Sequence, residues 1–200
     1  MSVDEFRSTR PLAQRMLTRN IPSSYHPVRA GVIPYTMSPD GVRIFYLCVD
    51  ANYGDLTDAS GSIGSDESLL VGAARELCEE TIGIFDFRQH IDMLREESVA
   101  IYTPREMIII QPVRIEMTPV QVCYHYRELY ISALELCVDN RHIESSHLMY
   151  ITEPDLLRLI QGNIVSIPDD LKGLEGIGPN YPPLYHRLKN ILFTTRNELF

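Results

Sequence analysis

The sequence predicts a mixed α/β domain, and three observations carry that expectation. Runs of β-branched and aromatic residues alternate with segments whose apolar residues recur at helical spacing, in the order strands, helix, strands, helix, strand, helix. The 200 residues, 44% hydrophobic and 22% charged, hold enough apolar material for one core with decorations. One helix, over about 67–82, carries a core stripe on one side and a crowd of glutamates on another.

Residues 1–25 carry a short helical pattern around Pro11 to Leu17, then Ile21-Pro22-Ser23-Ser24, and read as an arm leading onto the domain. Val28 to Met37 and Val42 to Asp50 are rich in strand formers, and Ser38-Pro39-Asp40-Gly41 between them is turn chemistry, so a β-hairpin is predicted. Asn52 to Ser60 is polar and Asp-rich and leads directly into a loop expected at Gly61. The helix follows, closed by Gly83, where glycine takes a left-handed cap most easily. Strands are expected at Ser98 to Thr103 and Met107 to Ile115, with Pro112 pointing to an edge for the second.

Thr118-Pro119-Val120-Gln121 is a capped helix start, and Cys123, Tyr126, Tyr130, Ala133, Leu134 and Cys137 supply its stripe. At that spacing the tyrosines read as core rather than as base contacts. Leu148 to Ile151 is strand-like, Thr152-Glu153-Pro154-Asp155 caps a helix to Ile160, Asn163 to Pro183 is a long Gly- and Pro-rich loop, and Leu184 to Leu199 is a terminal helix.

Twenty-seven acidic against eighteen basic residues leave a net charge of −9, which argues against a broad DNA-coating or anionic-membrane surface. Cys48, Cys78, Cys123 and Cys137 form no CxxC pair, so neither zinc nor a disulfide framework is supported, and reduced thiols in a cytoplasmic protein are expected. No segment is apolar and long enough for a signal peptide or a membrane span.

On the acidic helix, Leu70, Ala73, Ala74, Leu77 and Thr81 stack on the core side, while Glu76, Glu79 and Glu80 crowd together at i, i+3 and i+4. Three like charges in the C-terminal half of a helix repel one another and oppose the macrodipole. Arg75 can neutralise one of them, and the natural partner for the rest is a hard divalent cation, Mg2+ or Mn2+. Standing alone, Arg75-Glu76-Leu77-Cys78-Glu79-Glu80 would read as a solvated acidic face.

It does not stand alone. Gly61, five residues, Glu67, seven residues and Arg75-Glu76-Leu77-Cys78-Glu79-Glu80 together resemble the Nudix box, at all six fixed positions before its tail. The tail departs: Thr81 and Ile82 both stand before Gly83 and Ile84 where the family has one residue, and the expected effect is a shift of the helix cap by one position. Ala59-Ser60-Gly61-Ser62 also stands where many relatives have a run of glycines. The longer tail followed by Ile84-Phe85 is similar to Nudix proteins of large DNA viruses.

The resemblance covers about residues 27–161, with an arm at 1–26 and a loop plus C-terminal helix at 162–200. It implies a mixed sheet sandwiched between helices, with the box as a loop-helix-loop. It also implies divalent-metal-dependent hydrolysis of a diphosphate linkage, with Glu76, Glu79 and Glu80 as metal ligands and Glu76 a candidate base. Arg75 would orient the acids, the backbone carbonyl of Ser60 would add a ligand, and Glu67 would fasten loop to helix. Family members often add a downstream glutamate as ligand or base, and Glu144 stands in the corresponding part of this chain, against the alternative of a plain solvated loop acid. Arg141, His142 and His147 are further candidates for phosphate contact.

The implied partner is a nucleotide-type substrate: a nucleoside diphosphate derivative, a dinucleoside polyphosphate or capped RNA, the last raised by the likeness to the viral proteins and lowered by the acidic balance. The competing class is a non-catalytic Nudix-fold binding module, which usually loses acids of the box that this chain keeps.

Overall fold

A computed structural model describes residues 13–22, 24–136 and 144–199. The expected hairpin is present as β2 (Arg29–Met37) and β3 (Arg43–Asp50), closed by Gly41 at φ +79°. Its strands pair only near the turn, from Tyr35 opposite Phe45 to Met37 opposite Arg43. Beyond that they splay, and the polar, Asp-rich segment with the start of the expected loop at Gly61 forms two short strands inside the fork. β4 (Leu56–Thr57) pairs with β3, and β5 (Ala59–Ser62) pairs antiparallel with β2. On this edge of β2, Pro34 falls between the pairings with β5 and β3, where a missing N–H interrupts neither ladder.

The fork closes tightly at one point. A Cβ on Gly31, opposite Ser60, would lie 2.3 Å from the Ser60 Cβ and 2.0 Å from Asp58 Oδ2, so only glycine fits there.

On its other edge β2 pairs in parallel with β7 (Glu106–Pro112), which is in turn antiparallel to β6 (Val99–Tyr102). The sheet is therefore mixed and eight-stranded, with β8 (Ser145–Thr152) antiparallel along β3. β7 is an interior strand, contrary to the edge position suggested by Pro112. That proline is the last residue of the strand, and Val113 N–H supplies the bond to the Tyr35 carbonyl at 2.9 Å.

The helical pattern at the N-terminus also gives way. Pro11 and Leu12 lie outside the described residues, and Gln14–Leu17 form β1, paired with β6 and tied by the Tyr102 hydroxyl donating to Gln14 Oε1 at 2.6 Å. Sheet pairing overrides local helix propensity in a stretch too short to hold a helix.

The acidic helix is α1 (Leu69–Glu80), with the Ser68 side chain accepting from Val71 N–H and Ala73, Ala74 and Leu77 in the core. Leu70 on the expected stripe is only half-buried. A short helix not foreseen, α2 (Ile91–Glu96), follows, with Leu94 buried. α3 (Pro119–Glu135) begins with the expected reciprocal cap between Thr118 and Gln121 and packs on β8. Tyr126 is fully buried and donates to the Ser145 carbonyl at 2.6 Å, so it is core, and Cys137 lies outside the described residues. α4 (Glu153–Ile160) and the terminal helix α5 (His186–Leu199) pack together, and α5 also touches β1. Among the described residues no helix is long and apolar enough to cross a membrane.

The extra residue in the tail of the box has a definite place. Gly83 N–H bonds the Cys78 carbonyl at 2.8 Å and Ile82 N–H bonds that of Glu79 at 3.2 Å, the paired bonds of a Schellman cap. Ile82, not Gly83, therefore holds the first left-handed position, at φ +49°, with Gly83 following at +79°. Thr81 helps close the end: its hydroxyl donates to the Leu77 carbonyl at 2.5 Å and accepts from Phe85 N–H at 3.2 Å.

Candidate active site

Arg75 is the hub of the box. Its Nε and Nη2 grip both oxygens of Glu67 at 2.9 and 3.0 Å, its Nη1 reaches Glu76 at 2.7 Å and Glu79 at 2.9 Å, and Nη2 also donates to the Ser62 carbonyl at 2.9 Å. The two-pronged grip is on Glu67, which also accepts from Gly64 N–H at 2.8 Å and so ties the turn before the helix to the helix itself. Hydrogen bonds from Arg75 hold the Glu67 carboxyl below its ordinary range.

Gly61 belongs to β5 rather than to a loop, and it cradles Glu76. A Cβ there would lie 2.3 Å from the carboxyl carbon and from both oxygens of Glu76. Burial, with Arg75 opposing it and Glu79 and Glu144 adding to it, raises the Glu76 pKa. Glu80 is more deeply placed, 8% exposed, and its Oε2 accepts a short hydrogen bond from the Ser145 hydroxyl. Burial, followed by repulsion from Glu144, Glu76 and Asp50, lifts it to about 7 despite that bond.

Glu76, Glu79, Glu80 and Glu144 thus line one cleft of about 330 Å3, with Gly61 and Arg75 beside them. Glu144 is exposed, and its carbonyl accepts from Ala51 N–H at 2.8 Å, which seats it beside the end of β3. Among the described residues no three His, Cys, Asp or Glu side chains close around a common point. The acids form an open set, with Glu76 and Glu79 turned to Arg75.

The donor chemistry nonetheless suits a hard divalent cation. Arg75 engages Oε1 of Glu76 and Oε2 of Glu79, and Ser145 engages Oε2 of Glu80, which leaves the other oxygen of each carboxylate for the cleft. Carboxyls that resist ionisation beside one another are those a cation would stabilise.

A second cleft, of about 250 Å3, adjoins the first and shares Glu80 and Glu144 with it. Arg29, Asp58 and Ser60 come to it from the fork, Tyr53 from the loop after β3, and Tyr185 and Arg187 from the C-terminal segment. Ser60 therefore faces this cleft and not the carboxylate one. Asp58 is 3% exposed; its Oδ2, pressed against Gly31, has no hydrogen-bond partner among the described residues, and its Oδ1 lies 3.8 Å from Arg29 Nη1. None of Arg29, Asp58, Tyr53, Tyr185 and Arg187 stands out in the sequence. The only signal was the Asp-rich composition before Gly61.

His147 is not at either cleft. It is 6% exposed, with Nε2 2.8 Å from the Glu175 carbonyl and Nδ1 3.0 Å from Ser146 Oγ, and burial lowers its pKa; it pins β8 to the long loop. Arg141 and His142 lie outside the described residues.

No family model matches the chain, and no curated protein matches it. Solved structures do align with it. C. elegans Ap4A hydrolase does so with a TM-score of 0.42 and 14% identity over 88% of this chain and 100% of that one. A MutT/nudix family protein from Enterococcus faecalis gives a TM-score of 0.44 and 13% identity over 90% of this chain and 64% of that one. The Bacillus subtilis pyrophosphohydrolase BsRppH gives 0.39 and 10% over 94% and 92%. Likeness at this level does not carry function, which rests on the chain's own side chains.

Proposed function

We propose that this chain is a Nudix-type hydrolase that cleaves a diphosphate linkage in a nucleotide-type substrate with the help of Mg2+ or Mn2+. The observation that carries this reading is the placement of the box: its helix acids Glu76, Glu79 and Glu80, with Glu144, line one cleft around Arg75 and Gly61. Glu76, Glu79, Glu80 and Glu144 are the residues that would hold the cation, whereas Ser60, expected as a further ligand, lines the adjoining cleft. When bound, it would neutralise charge on the phosphate oxygens and help to activate water.

The chain's own groups do the rest. Arg75 fixes Glu76 and Glu79 while Glu67 fixes Arg75, so the acids hold their positions against mutual repulsion. Gly61 lets the Glu76 carboxylate lie against the strand. Ser145 donates to Glu80 and so favours its charged form, against burial that favours the neutral one. Glu76 and Glu144 are the candidates for accepting the proton of the attacking water. The described thiols Cys48, Cys78 and Cys123 are free and buried, which supports a reducing, cytoplasmic setting.

The test is metal-dependent release of a phosphate-bearing product from a panel of nucleoside triphosphates, dinucleoside polyphosphates, nucleotide sugars and capped RNA. Wild type is expected to exceed a Glu79→Gln, Glu80→Gln variant on at least one substrate. Equal, background rates for both proteins on every substrate would sink the reading.

A further inference from the structure

From the second cleft we infer that a further phosphate, beyond the scissile pair, is held by Arg29 and Arg187, so that the preferred substrate carries three or more consecutive phosphates. This rests on the hydrolase reading above and adds to it a substrate class and two specificity residues.

The argument starts from how differently the arginines here are used. Every contact of the Arg75 guanidinium is a hydrogen bond of 2.7–3.0 Å. Arg29 Nη1 instead stands 3.8 Å from Asp58 Oδ1 and 3.9 Å from Glu106 Oε2, and Arg187 Nη2 stands 3.7 Å from that same Glu106 oxygen. These distances are beyond hydrogen bonding, and among the described residues neither guanidinium donates a hydrogen bond. Glu106 and Asp58 thus hold two positive groups at one cleft without consuming their donors.

A planar guanidinium with free forked donors matches phosphate oxygens. The Arg29 side chain is only 24% exposed, so an anion meeting it is partly withdrawn from water, where charge-assisted bonds are stronger.

Position then selects the anion. The arginine cleft meets the carboxylate cleft at Glu80 and Glu144, so a chain of phosphates cleaved at the acids continues directly past the arginines. A neutral sugar in the same place would leave both forks unpaired. Tyr53 and Tyr185, on the same cleft, offer ring faces to the nucleoside that follows.

Removing Arg29 outright would leave the buried Asp58 charge uncompensated, so the informative variants are Arg187→Gln, on the first turn of α5, and Arg29→Lys, which keeps the charge and loses the fork. Inorganic triphosphate and pyrophosphate are titrated calorimetrically into the full-length metal-free protein and both variants, with thermal melts as a folding control. kcat/KM is then compared on a dinucleoside tetraphosphate and a nucleoside diphosphate sugar.

Wild type should bind triphosphate about tenfold more tightly than pyrophosphate, and each variant should lose about tenfold on triphosphate and on tetraphosphate kcat/KM, with the sugar nucleotide within about twofold. Triphosphate binding unchanged in both variants, or equal losses on both substrates, overturns the inference. Arginine-dependent triphosphate binding in a protein that hydrolyses nothing upholds the phosphate site and removes the hydrolase reading instead.

Discussion

The two clefts share Glu80 and Glu144, yet they treat their arginines in opposite ways. In the carboxylate cleft Arg75 is spent: its donors go to Glu67, Glu76, Glu79 and the Ser62 carbonyl at hydrogen-bonding distance. In the neighbouring cleft Arg29 and Arg187 stand off from their acids by 3.7–3.9 Å. The first arrangement is scaffolding, in which a cation made of protein holds anions made of protein. The second is a field without bonds, which is what a site for a mobile anion needs. Counting charges would not separate the two; the hydrogen-bond inventory does.

The comparison breaks most visibly at the acids. Replacing Glu79 and Glu80 together by glutamine should lower kcat about 10^3-fold, the several kcal/mol of transition-state charge stabilisation a bound divalent cation supplies. Binding of triphosphate in the other cleft should survive. If both functions fall together by the same factor, the clefts are one site and the contrast is false.

Next in size is the arginine itself. Arg75→Ala frees three carboxylates beside one another, and because the side chain is one-third exposed the expected cost is about 2 kcal/mol rather than that of a fully buried pair, with activity down about 100-fold. Arg187→Gln should change stability by no more than about 0.5 kcal/mol. Chemical denaturation of the two variants measures the difference, and equal stabilities would mean that the Arg75 network is not scaffolding. Gly61→Ala sharpens the same point. The new methyl group displaces the Glu76 carboxylate, so activity should fall about 10–100-fold while the melting temperature moves by only the equivalent of about 1 kcal/mol.

The carboxylate cleft was far more legible in the sequence than the arginine cleft, and the reason is chain distance. Glu67, Arg75, Glu76, Glu79 and Glu80 belong to one turn and one helix, so spacing alone places them together. Arg29, Asp58 and Arg187 meet only because β5 folds back on β2 and the C-terminal segment crosses the end of β4, where Leu56 N–H bonds the Pro183 carbonyl at 2.8 Å. The strands that fill the fork are two and four residues long, and Ala59-Ser60-Gly61-Ser62 has little strand propensity; pairing with β2 makes it a strand. The same tertiary override turned Gln14–Leu17 from expected helix into β1. Glu144 was legible from its place ahead of β8, but Ser145 behind Glu80 was not, because nothing local marks a serine as the partner of a carboxylate 65 residues away.

A smaller effect lies at Glu80, the acid both clefts share. Its pKa is raised from 4.5 to about 7 in the folded chain, so folding is favoured by the proton below pH 4.5 and that stabilisation is lost as the pH rises through about 7. In the presence of a chelator the melting temperature should therefore fall between pH 5 and pH 8 by the equivalent of roughly 1–2 kcal/mol, and Glu80→Gln should remove that part of the slope. Added Mg2+ should restore stability at pH 8, since a cation offsets the charge that burial penalises. A slope identical in wild type and Glu80→Gln would place the titration elsewhere.

The smallest effect separates the acids from the helix end that carries them. Ile82 holds a left-handed conformation at φ +49° that a β-branched residue occupies only under strain, while its side chain is half-buried against the core. Substituting glycine relieves the strain and gives up that packing, so Ile82→Gly should stabilise the chain by about 0.5 kcal/mol at most. Activity should not change, because Glu79 is held by Arg75 and Glu80 by Ser145, and neither depends on the cap. Should Ile82→Gly instead cost tenfold or more in kcat with the fold intact, the extra residue in the tail of the box would be positioning the acids through the helix end, and the carboxylate cleft would owe its geometry to the cap as well as to Arg75.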